Sequence, residues 1–447
     1  MAQHDFTEGK VGRQIWLFSL PIMLTNLLQV SYQFIDSLWV GNLLGANALG
    51  AISVSSTIIF TILSFIIGIN NATLTILSQH KGQENDEGLK SYVNAFVVVL
   101  LFLSIALGII GYLCSEWLVT MLGTPESMIS DATVYLQINF IGILFLFGYN
   151  FIGTVMRALG DSKTPIRYVA IAVVLNAILD PIFIHSFNLG IDGAAYATVI
   201  SQGVAFLYGM IDSINRRLVP FKMPKLPKRN EVFTILKLGI PSGLQMTVIS
   251  AGVMAIMGVV NTFGDNVVAG FGAAQRLDSI IMLPAMALGT AVNSMAGQNI
   301  GAGKWNRVHQ IAKYGVLMNL FIMFIISFIV VVCAKLAIGL FIDEEAAVHF
   351  GMRYLQIIAF FYPFLGINFI LNGIVRAAGA MMQVLVLNLI SFWVLRVPLT
   401  YLCSLSLGEN GIAVGMGVSF VISSAFAYGY YKYGKWTEMK ITKLEKG

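Results

Sequence analysis

This sequence consists mainly of long apolar runs. Short breaks that are polar or contain Gly and Pro separate them. A helix that crosses a bilayer needs roughly 20 mainly apolar residues, and many runs here reach that length. Apolar residues make up 57% of the 447 positions and charged residues only 11%. A soluble chain with this composition would lack the polar surface to cover itself. The sequence therefore predicts an all-α polytopic membrane protein.

Twelve spans are predicted, and the positive charges indicate their direction. The spans are 14–38, 47–77, 91–114, 131–156, 164–186, 192–213, 233–262, 266–297, 310–338, 348–375, 381–404 and 410–432. The N-terminus, every second loop and the C-terminal tail hold most of the 27 Lys and Arg residues. Because cytoplasmic loops are enriched in these residues, we expect both termini in the cytoplasm and the protein in the cell membrane. We expect the basic segment 214–232 to face anionic lipid rather than nucleic acid.

The two halves of the chain repeat each other at an offset of about 220 residues. Tyr135–Ile138 matches Tyr354–Ile357, and Arg157–Gly160 matches Arg376–Gly379, each at the same place in its half. An even number of spans per half predicts two six-helix bundles related by a parallel pseudo-two-fold axis along the membrane normal. The predicted division is an N-lobe at 1–213, a linker at 214–232 and a C-lobe at 233–447. Transporters are commonly built in this way, although channels can also be repeats.

Motifs for catalysis or nucleotide hydrolysis are not found. Gly297–Lys304 resembles a phosphate-binding loop, but its first glycine is misplaced and Trp305 stands where Ser or Thr is needed. The three cysteines have no metal-ligand spacing. We expect no enzyme activity and no cofactor, and a gradient of H⁺ or Na⁺ as the energy source.

The first predicted span carries a polar stripe. Gln29, Gln33 and Asp36 are spaced four and three residues apart, which places them on one helical face. In the fifth span Asn176 and Asp180 also share a face. By span direction, both acids lie toward the outer half of the membrane.

Thr198, about two turns into the sixth span, lies at a similar depth, so the sequence predicts one pocket for Asp36, Asn176, Asp180 and Thr198. Two carboxylates in a poorly solvated site cannot both ionise cheaply, and such a pair suits a proton or a small cation such as Na⁺. The alternative is a hydrogen-bonded cluster that only holds helices together.

Charges also occur in the second half. Asp278 lies within a predicted span, close in sequence to Arg276, and Arg396 lies in another span. Pairing is the usual solution for buried charges, so we expect an internal ion pair of Asp278 with one of the two arginines.

Methionines are concentrated in two spans of the second half. Methionine surfaces adapt to varied ligands, although packing is the commoner role of Met in a helix. The candidate substrate-contacting residues are Met254, Met257, Met282 and Met286.

Four segments together resemble the multidrug and toxic compound extrusion (MATE) transporters. They are Leu17–Leu24, Phe34–Gly41 (FIDSLWVG), Met156–Pro165 (MRALGDSKTP) and Asn176–Ile184 (NAILDPIFI). The likeness covers essentially the whole chain and is greatest to the DinF-like branch. It implies that Asp36 is the key acid and that a polar network surrounds it. The matching network positions are Gln29, Asn150, Asn176, Asp180 and Thr198, with Tyr135 as a looser match.

The resemblance implies export of lipophilic, often cationic compounds in exchange for H⁺ or Na⁺, by a protein we expect to be monomeric. The NorM branch of the family relies on acids in the seventh and tenth spans, and these spans hold no interior Asp or Glu here. An alternative function is a flippase or exporter of a lipid-linked or anionic metabolite. It would require a strongly basic cavity, for which only Arg276 and Arg396 are candidates.

Overall fold

The computed structural model describes residues 4–221, 223–439 and 441, and helices account for nearly all of them. We number the helices by span. They are α1 (Val11–Leu44), α2 (Ala46–Gly82), α3 (Asp86–Met121), α4 (Glu126–Ile141 and Ile143–Ala158), α5 (Thr164–Ser186), α6 (Ile191–Asn215), α7 (Arg229–Asn261), α8 (Asp265–Gly301), α9 (Trp305–Gly339), α10 (Glu345–Ala377), α11 (Met381–Leu407) and α12 (Asn410–Tyr433). Four lysines counted in the charge pattern lie outside the described residues: Lys222, Lys440, Lys443 and Lys446.

The predicted fold class is confirmed. Eleven of the described helices are long and apolar enough to cross a membrane, and α4 makes a twelfth when its two parts count as one span. The parts of α4 meet at Gly142 with a bend of 51°. Most helices extend past the predicted spans because polar residues cap and lengthen them. For example, the Asn85 side chain accepts a hydrogen bond from the Gly88 amide over 2.9 Å at the start of α3.

The described residues form two compact units. Within the described residues, the first unit contains His4, 24–221 and 223–237, and the second contains 5–23, 238–439 and 441. Both boundaries fall inside a helix, one in α1 and one in α7. The first unit has a buried core that includes Val40, Leu136 and Phe147.

Two buried apolar cores lie within the described residues of the second unit. One includes Phe6 and Phe18 from the N-terminal segment, and the other includes Phe271 and Tyr354. Residues 5–23 are therefore an integral part of this unit.

Glycines allow close backbone contact between the last two helices of each unit. A Cβ on Gly193 of α6 would lie 2.7 Å from the carbonyl carbon of Phe183 in α5. A Cβ on Gly411 of α12 would lie only 2.1 Å from the carbonyl oxygen of Cys403 in α11. These contacts fix the α5–α6 pair, which holds Asn176, Asp180 and Thr198, and the α11–α12 pair, which holds Arg396 and Ser419.

α5 and α11 also share a local irregularity. Each contains a π-helical turn, at Ile182–Ser186 in α5 and at Ile390–Arg396 in α11. A proline lies close to each turn, Pro181 before the first and Pro398 after the second. π turns inside α-helices occur frequently at functional sites.

Candidate functional site

The helix pair α5–α6 builds the centre of a buried polar cluster in the first unit. The Asn176 amide nitrogen donates to Asp180 Oδ1 over 3.2 Å and lies 3.5 Å from Thr198 Oγ1. Thr198 Oγ1 in turn donates to the Ala194 carbonyl over 3.1 Å. Asn176 and Asp180 have no solvent exposure, and Thr198 is buried. One turn of helix separates Asn176 from Asp180, as their spacing predicted.

α1 brings a second carboxyl group to this cluster. Asp36 is buried, and its carboxyl group adjoins that of Asp180. Neither acid forms a salt bridge with a described residue. Asp36 Oδ1, Asp180 Oδ2 and the Asn176 side-chain oxygen are buried and have no hydrogen-bond partner among the described residues. The pocket therefore contains two adjacent carboxyl groups and several oxygen atoms that have no donor.

Two tyrosines line the same pocket. Tyr135 of α4 is buried near both carboxyl groups and Thr198. Tyr32 lies one turn before Asp36 on α1, near Asp36 and Thr198, and its buried hydroxyl has no hydrogen-bond partner within 3.5 Å. Tyr32 was not among the predicted site residues. Its spacing of four residues from Asp36 is the signal that could have identified it.

The other predicted network residues are Gln29 and Gln33, which precede Asp36 on α1, and Asn150 of α4. Gln29, two turns before Asp36, donates from Nε2 to Asn150 Oδ1 over 3.5 Å. The Asn150 amide nitrogen donates to the Leu146 carbonyl over 2.8 Å. Gln33 is exposed, and its side chain makes no hydrogen bond within the described part of the chain. The structure thus brings Gln29 and Asn150 together and leaves Gln33 apart from both groups.

The atoms of the pocket fit a proton or a hard cation. A shared proton would turn the contact of two carboxylates into an O–H···O⁻ hydrogen bond. Hard cations prefer oxygen ligands, and the unpartnered atoms of Asp36, Asp180 and Asn176 are all oxygens. No cluster of three or more His, Cys, Asp or Glu side chains that could hold a metal ion occurs among the described residues. A cation here would consequently rely on amide and hydroxyl oxygens beside the two carboxylates.

The ion pair predicted for Asp278 is not present in the described part of the chain. Asp278 Oδ2 instead accepts hydrogen bonds from Gln275 Nε2 at 3.3 Å and the Tyr354 hydroxyl at 3.4 Å. The Tyr362 hydroxyl donates to Oδ1. Arg276 is exposed. It lies two positions before Asp278, and residues two apart on a helix point to different sides. The tyrosines come from α10, and no sequence spacing indicated them.

Arg396 likewise lacks the predicted acidic partner. Its Nε donates to Ser419 Oγ over 3.3 Å, and its guanidinium carbon lies 3.7 Å and 4.6 Å from the ring centroids of Phe392 and Phe420. Nη2 is buried and has no hydrogen-bond partner in the part of the chain that the structure describes. The positive charge is thus stabilised by aromatic faces and one hydroxyl group.

The four candidate methionines divide into two pairs. Met282 is buried in a core of the second unit and Met257 packs against that core. Met254 and Met286 are 65% and 42% exposed. Of the four, Met254 and Met286 are therefore the ones with largely accessible side chains.

The family model named MatE matches the chain twice, at residues 21–182 and 241–402. The two matches begin 220 residues apart, the offset of the repeat seen in the sequence. The probable multidrug resistance proteins YpnP and YoeA of Bacillus subtilis (strain 168) are similar to the chain over nearly their whole lengths. YpnP is 64% identical over 99% of each chain, and YoeA is 31% identical over 98% of this chain and 97% of its own.

The fold is also similar to that of solved MATE transporters. A crystal structure of a variant of the Vibrio cholerae MATE transporter VcmN has a TM-score of 0.91 and 23% identity, over 98% of this chain and 99% of that chain. The outward-facing conformation of a multidrug resistance MATE family transporter also has a TM-score of 0.91, with 22% identity, over 100% and 99% of the two chains. The double match to the family model, the relatives of the same length and this fold together show that the chain belongs to the MATE transporter family.

Proposed function

We propose that this protein is a multidrug efflux antiporter that exports lipophilic, often cationic compounds in exchange for H⁺ or Na⁺. Its relatives, named multidrug resistance proteins at up to 64% identity, support the export of drugs. The family consists of transporters, so the protein is not an enzyme. The observation that supports ion coupling is the buried Asp36–Asp180 pair without a basic partner.

The coupling step follows from the charge of this pair. With both carboxylates ionised, two adjacent negative charges lie in a site with little water, and this state favours uptake of a cation. Binding of a proton or Na⁺ at Asp36 neutralises one charge and lets the two carboxyl groups approach each other. Asn176, which also lies beside Thr198, holds Asp180 in place, so that α1 rather than α5 responds to the ion. Release of the ion on the other side restores the repulsion and completes the cycle.

Substrate binds in this scheme to apolar surface in the membrane interior, to which exposed Met254 and Met286 contribute. Alternating access then moves the substrate outward as the ion moves inward. We further propose a monomer in the cell membrane with both termini in the cytoplasm, consistent with the distribution of Lys and Arg. Lipid and small lipophilic or cationic drugs are its partners, and no feature suggests nucleic acid.

The test is drug efflux from proteoliposomes under separately imposed H⁺ and Na⁺ gradients. The wild type should export a cationic dye uphill under one of the gradients, which a passive pore cannot do. Asp36→Asn should abolish this export while the protein is still inserted and folded. Asp265→Asn, a change of the same kind at the exposed start of α8, is the matched control. Full gradient-driven export by Asp36→Asn would refute the assignment.

A further inference from the structure

The linker between α6 and α7 contains two apolar side chains that are almost fully exposed. Leu226 is 97% exposed and Met223 is 83% exposed. Exposed basic side chains alternate with them, namely Lys225, Lys228 and Arg229. Within the part of the chain that the structure describes, none of these three basic groups forms a salt bridge. A mixture of exposed apolar and basic side chains is typical of segments that lie on the surface of an anionic membrane.

Hydrogen bonds hold this stretch of the linker against α3. The Lys225 amide donates to Asn94 Oδ1, and the Asn94 side-chain nitrogen donates to the Lys225 carbonyl, both over 2.9 Å. Glu231 is buried at the start of α7 and accepts from the Lys228 amide over 3.1 Å. It also accepts from the Ser91 hydroxyl of α3. The linker is therefore attached to α3 at two successive points.

Prolines restrict the backbone of the same stretch. Pro224 follows Met223 and Pro227 follows Leu226. The ring of each proline fixes its own φ angle, and the residue before a proline is restricted to extended backbone. Both exposed apolar residues therefore lie at positions with few accessible conformations. Their exposure cannot be relieved by a simple folding of the linker over them.

The contact with Asn94 shows at which depth of the membrane the linker lies. Asn94 belongs to the predicted span 91–114 of α3. Leu101 and Ile105 follow on the same helical face, and both are exposed. Apolar side chains exposed on a span are covered by lipid chains. The linker thus crosses the lipid-facing side of α3 where its apolar run begins, which is the level of the lipid headgroups.

We propose that residues 223–229 form a linker anchor that binds anionic phospholipid at the cytoplasmic surface of the membrane. Met223 and Leu226 enter the boundary between headgroups and acyl chains, where the apolar side chains of membrane-surface segments lie. Lys225, Lys228 and Arg229 extend to the lipid phosphates. Anionic lipids are found in the cytoplasmic leaflet, and the orientation proposed above has the linker on that side. This binding does not depend on the proposed export function.

A lipid titration of the purified full-length protein, read by native mass spectrometry, tests the headgroup contacts. The probes are phosphatidylglycerol and phosphatidylcholine. The triple change Lys225→Gln, Lys228→Gln and Arg229→Gln should weaken the tightest binding of phosphatidylglycerol about 100-fold, since each basic residue near a membrane surface contributes about fivefold. Binding of phosphatidylcholine and the melting temperature should not change. A triple change of exposed lysines elsewhere on the chain is the matched control: Lys313→Gln, Lys432→Gln and Lys435→Gln.

Fluorescence quenching tests the depth of the apolar side chains. A fluorophore is attached to Leu226→Cys in a protein whose own Cys114, Cys333 and Cys403 are replaced by serine. In vesicles of phosphatidylcholine with phosphatidylglycerol, doxyl groups on the lipid chains close to the headgroup should quench this fluorophore. Glu84→Cys is the control position, because Glu84 is exposed in the turn between α2 and α3 and lies outside the predicted spans. Quenching there should be much weaker.

Four outcomes would overturn the linker anchor. Equal loss of phosphatidylglycerol in both triple variants would show that net charge alone determines lipid binding. Displacement of the lipid by inorganic phosphate would identify a site for free phosphate. Quenching at Leu226→Cys no stronger than at Glu84→Cys would show that the linker lies in water. Equal quenching at Leu226→Cys in vesicles of pure phosphatidylcholine would show that the contact needs no anionic headgroup.

Discussion

The amide nitrogen of Asn176 lies 3.2 Å from Asp180 Oδ1 and donates a hydrogen bond to it. The two residues are one turn apart on α5, and the adjoining carboxyl group of Asp36 comes from α1. One carboxyl group is thus fixed within its own helix, whereas the other depends on the position of a different helix. This asymmetry leads to separate predictions for the two sides of the pair.

Replacement of Asn176 should weaken coupling without abolishing it. Asn176→Ala removes the donor to Asp180 and leaves that buried carboxylate with fewer partners, which costs about 1–3 kcal/mol. We expect the rate of gradient-driven efflux to fall about tenfold. In a double-mutant cycle with Asp180→Asn, the two changes should be clearly non-additive, because the residues are in contact. Asn306→Ala, in an exposed position outside the pocket, is the control, and strict additivity would contradict the prediction.

Removal of the Tyr32 hydroxyl should affect the ion and leave the fold intact. This buried hydroxyl has no hydrogen-bond partner among the described residues, so Tyr32→Phe removes an unsatisfied group and should leave stability unchanged or slightly higher. The cation concentration for half-maximal efflux should rise several-fold, since an oxygen beside Asp36 is lost. Thermal unfolding and ion titration of efflux measure the two effects. An unchanged ion dependence would exclude Tyr32 from the coupling site.

Drug affinity should depend on pH through Asp36 if the coupling ion is H⁺. Protonation of the Asp36–Asp180 pair and binding of a cationic drug then oppose each other. Drug affinity should therefore fall as the pH is lowered from about 8 to about 6, with the slope that linkage predicts for the uptake of one proton. In Asp36→Asn the slope should disappear, because that position can no longer exchange a proton. Fluorescence polarisation of a cationic dye on purified protein measures the slope. A slope that persists in Asp36→Asn would place the proton elsewhere.

Gly411 should tolerate no side chain. A Cβ there would lie 2.1 Å from the Cys403 carbonyl oxygen, so Gly411→Ala must separate α11 from α12 at a cost of about 1–3 kcal/mol. The melting temperature and the yield of folded protein should both fall. Gly429 on the same helix has nothing within 4 Å of a Cβ. Gly429→Ala should therefore be neutral or stabilising by up to about 1 kcal/mol, and equal effects of the two changes would contradict the packing described.

Arg307 should stabilise the N-terminal segment within the second unit. Its guanidinium donates to the carbonyls of Phe6, Glu8 and Gly9 at 2.9–3.1 Å. Arg307→Ala should lower the melting temperature and make this segment sensitive to a protease. Lys313→Ala, at an exposed position of the same helix, should do neither. Protection equal to that of the wild type would show that the apolar contacts of Phe6 are sufficient.

The number and order of the helices could be predicted from the sequence, because the thickness of a membrane determines how long and how apolar each run must be. Helix ends were less predictable: the third span was expected at 91–114, and α3 extends over Asp86–Met121. Polar residues at its ends continue the helix beyond the apolar run, and hydropathy gives no signal for them.

The polar cluster around Asp180 could be predicted because helical spacing and depth place Asn176, Asp36 and Thr198 near each other. The contacts of Asp278 could not, since Tyr354 and Tyr362 lie 76 and 84 residues further along the chain. Their approach depends on how α8 and α10 pack, and the spacing within one helix contains no information about that. Proximity in sequence favoured Arg276, which points to another side of the helix.

The π turn that ends at Arg396 has a mechanical consequence. A π turn accommodates one residue more than the α-helix around it. If the extra residue of this turn shifted by one position along α11, the following side chains would rotate by about 100° and advance by about 1.5 Å. The remaining backbone hydrogen bonds would form again after the shift. The same holds for α5, where the π turn begins two residues after Asp180. Each of these two helices can therefore rotate the side chains on one side of its π turn without movement of the whole bundle.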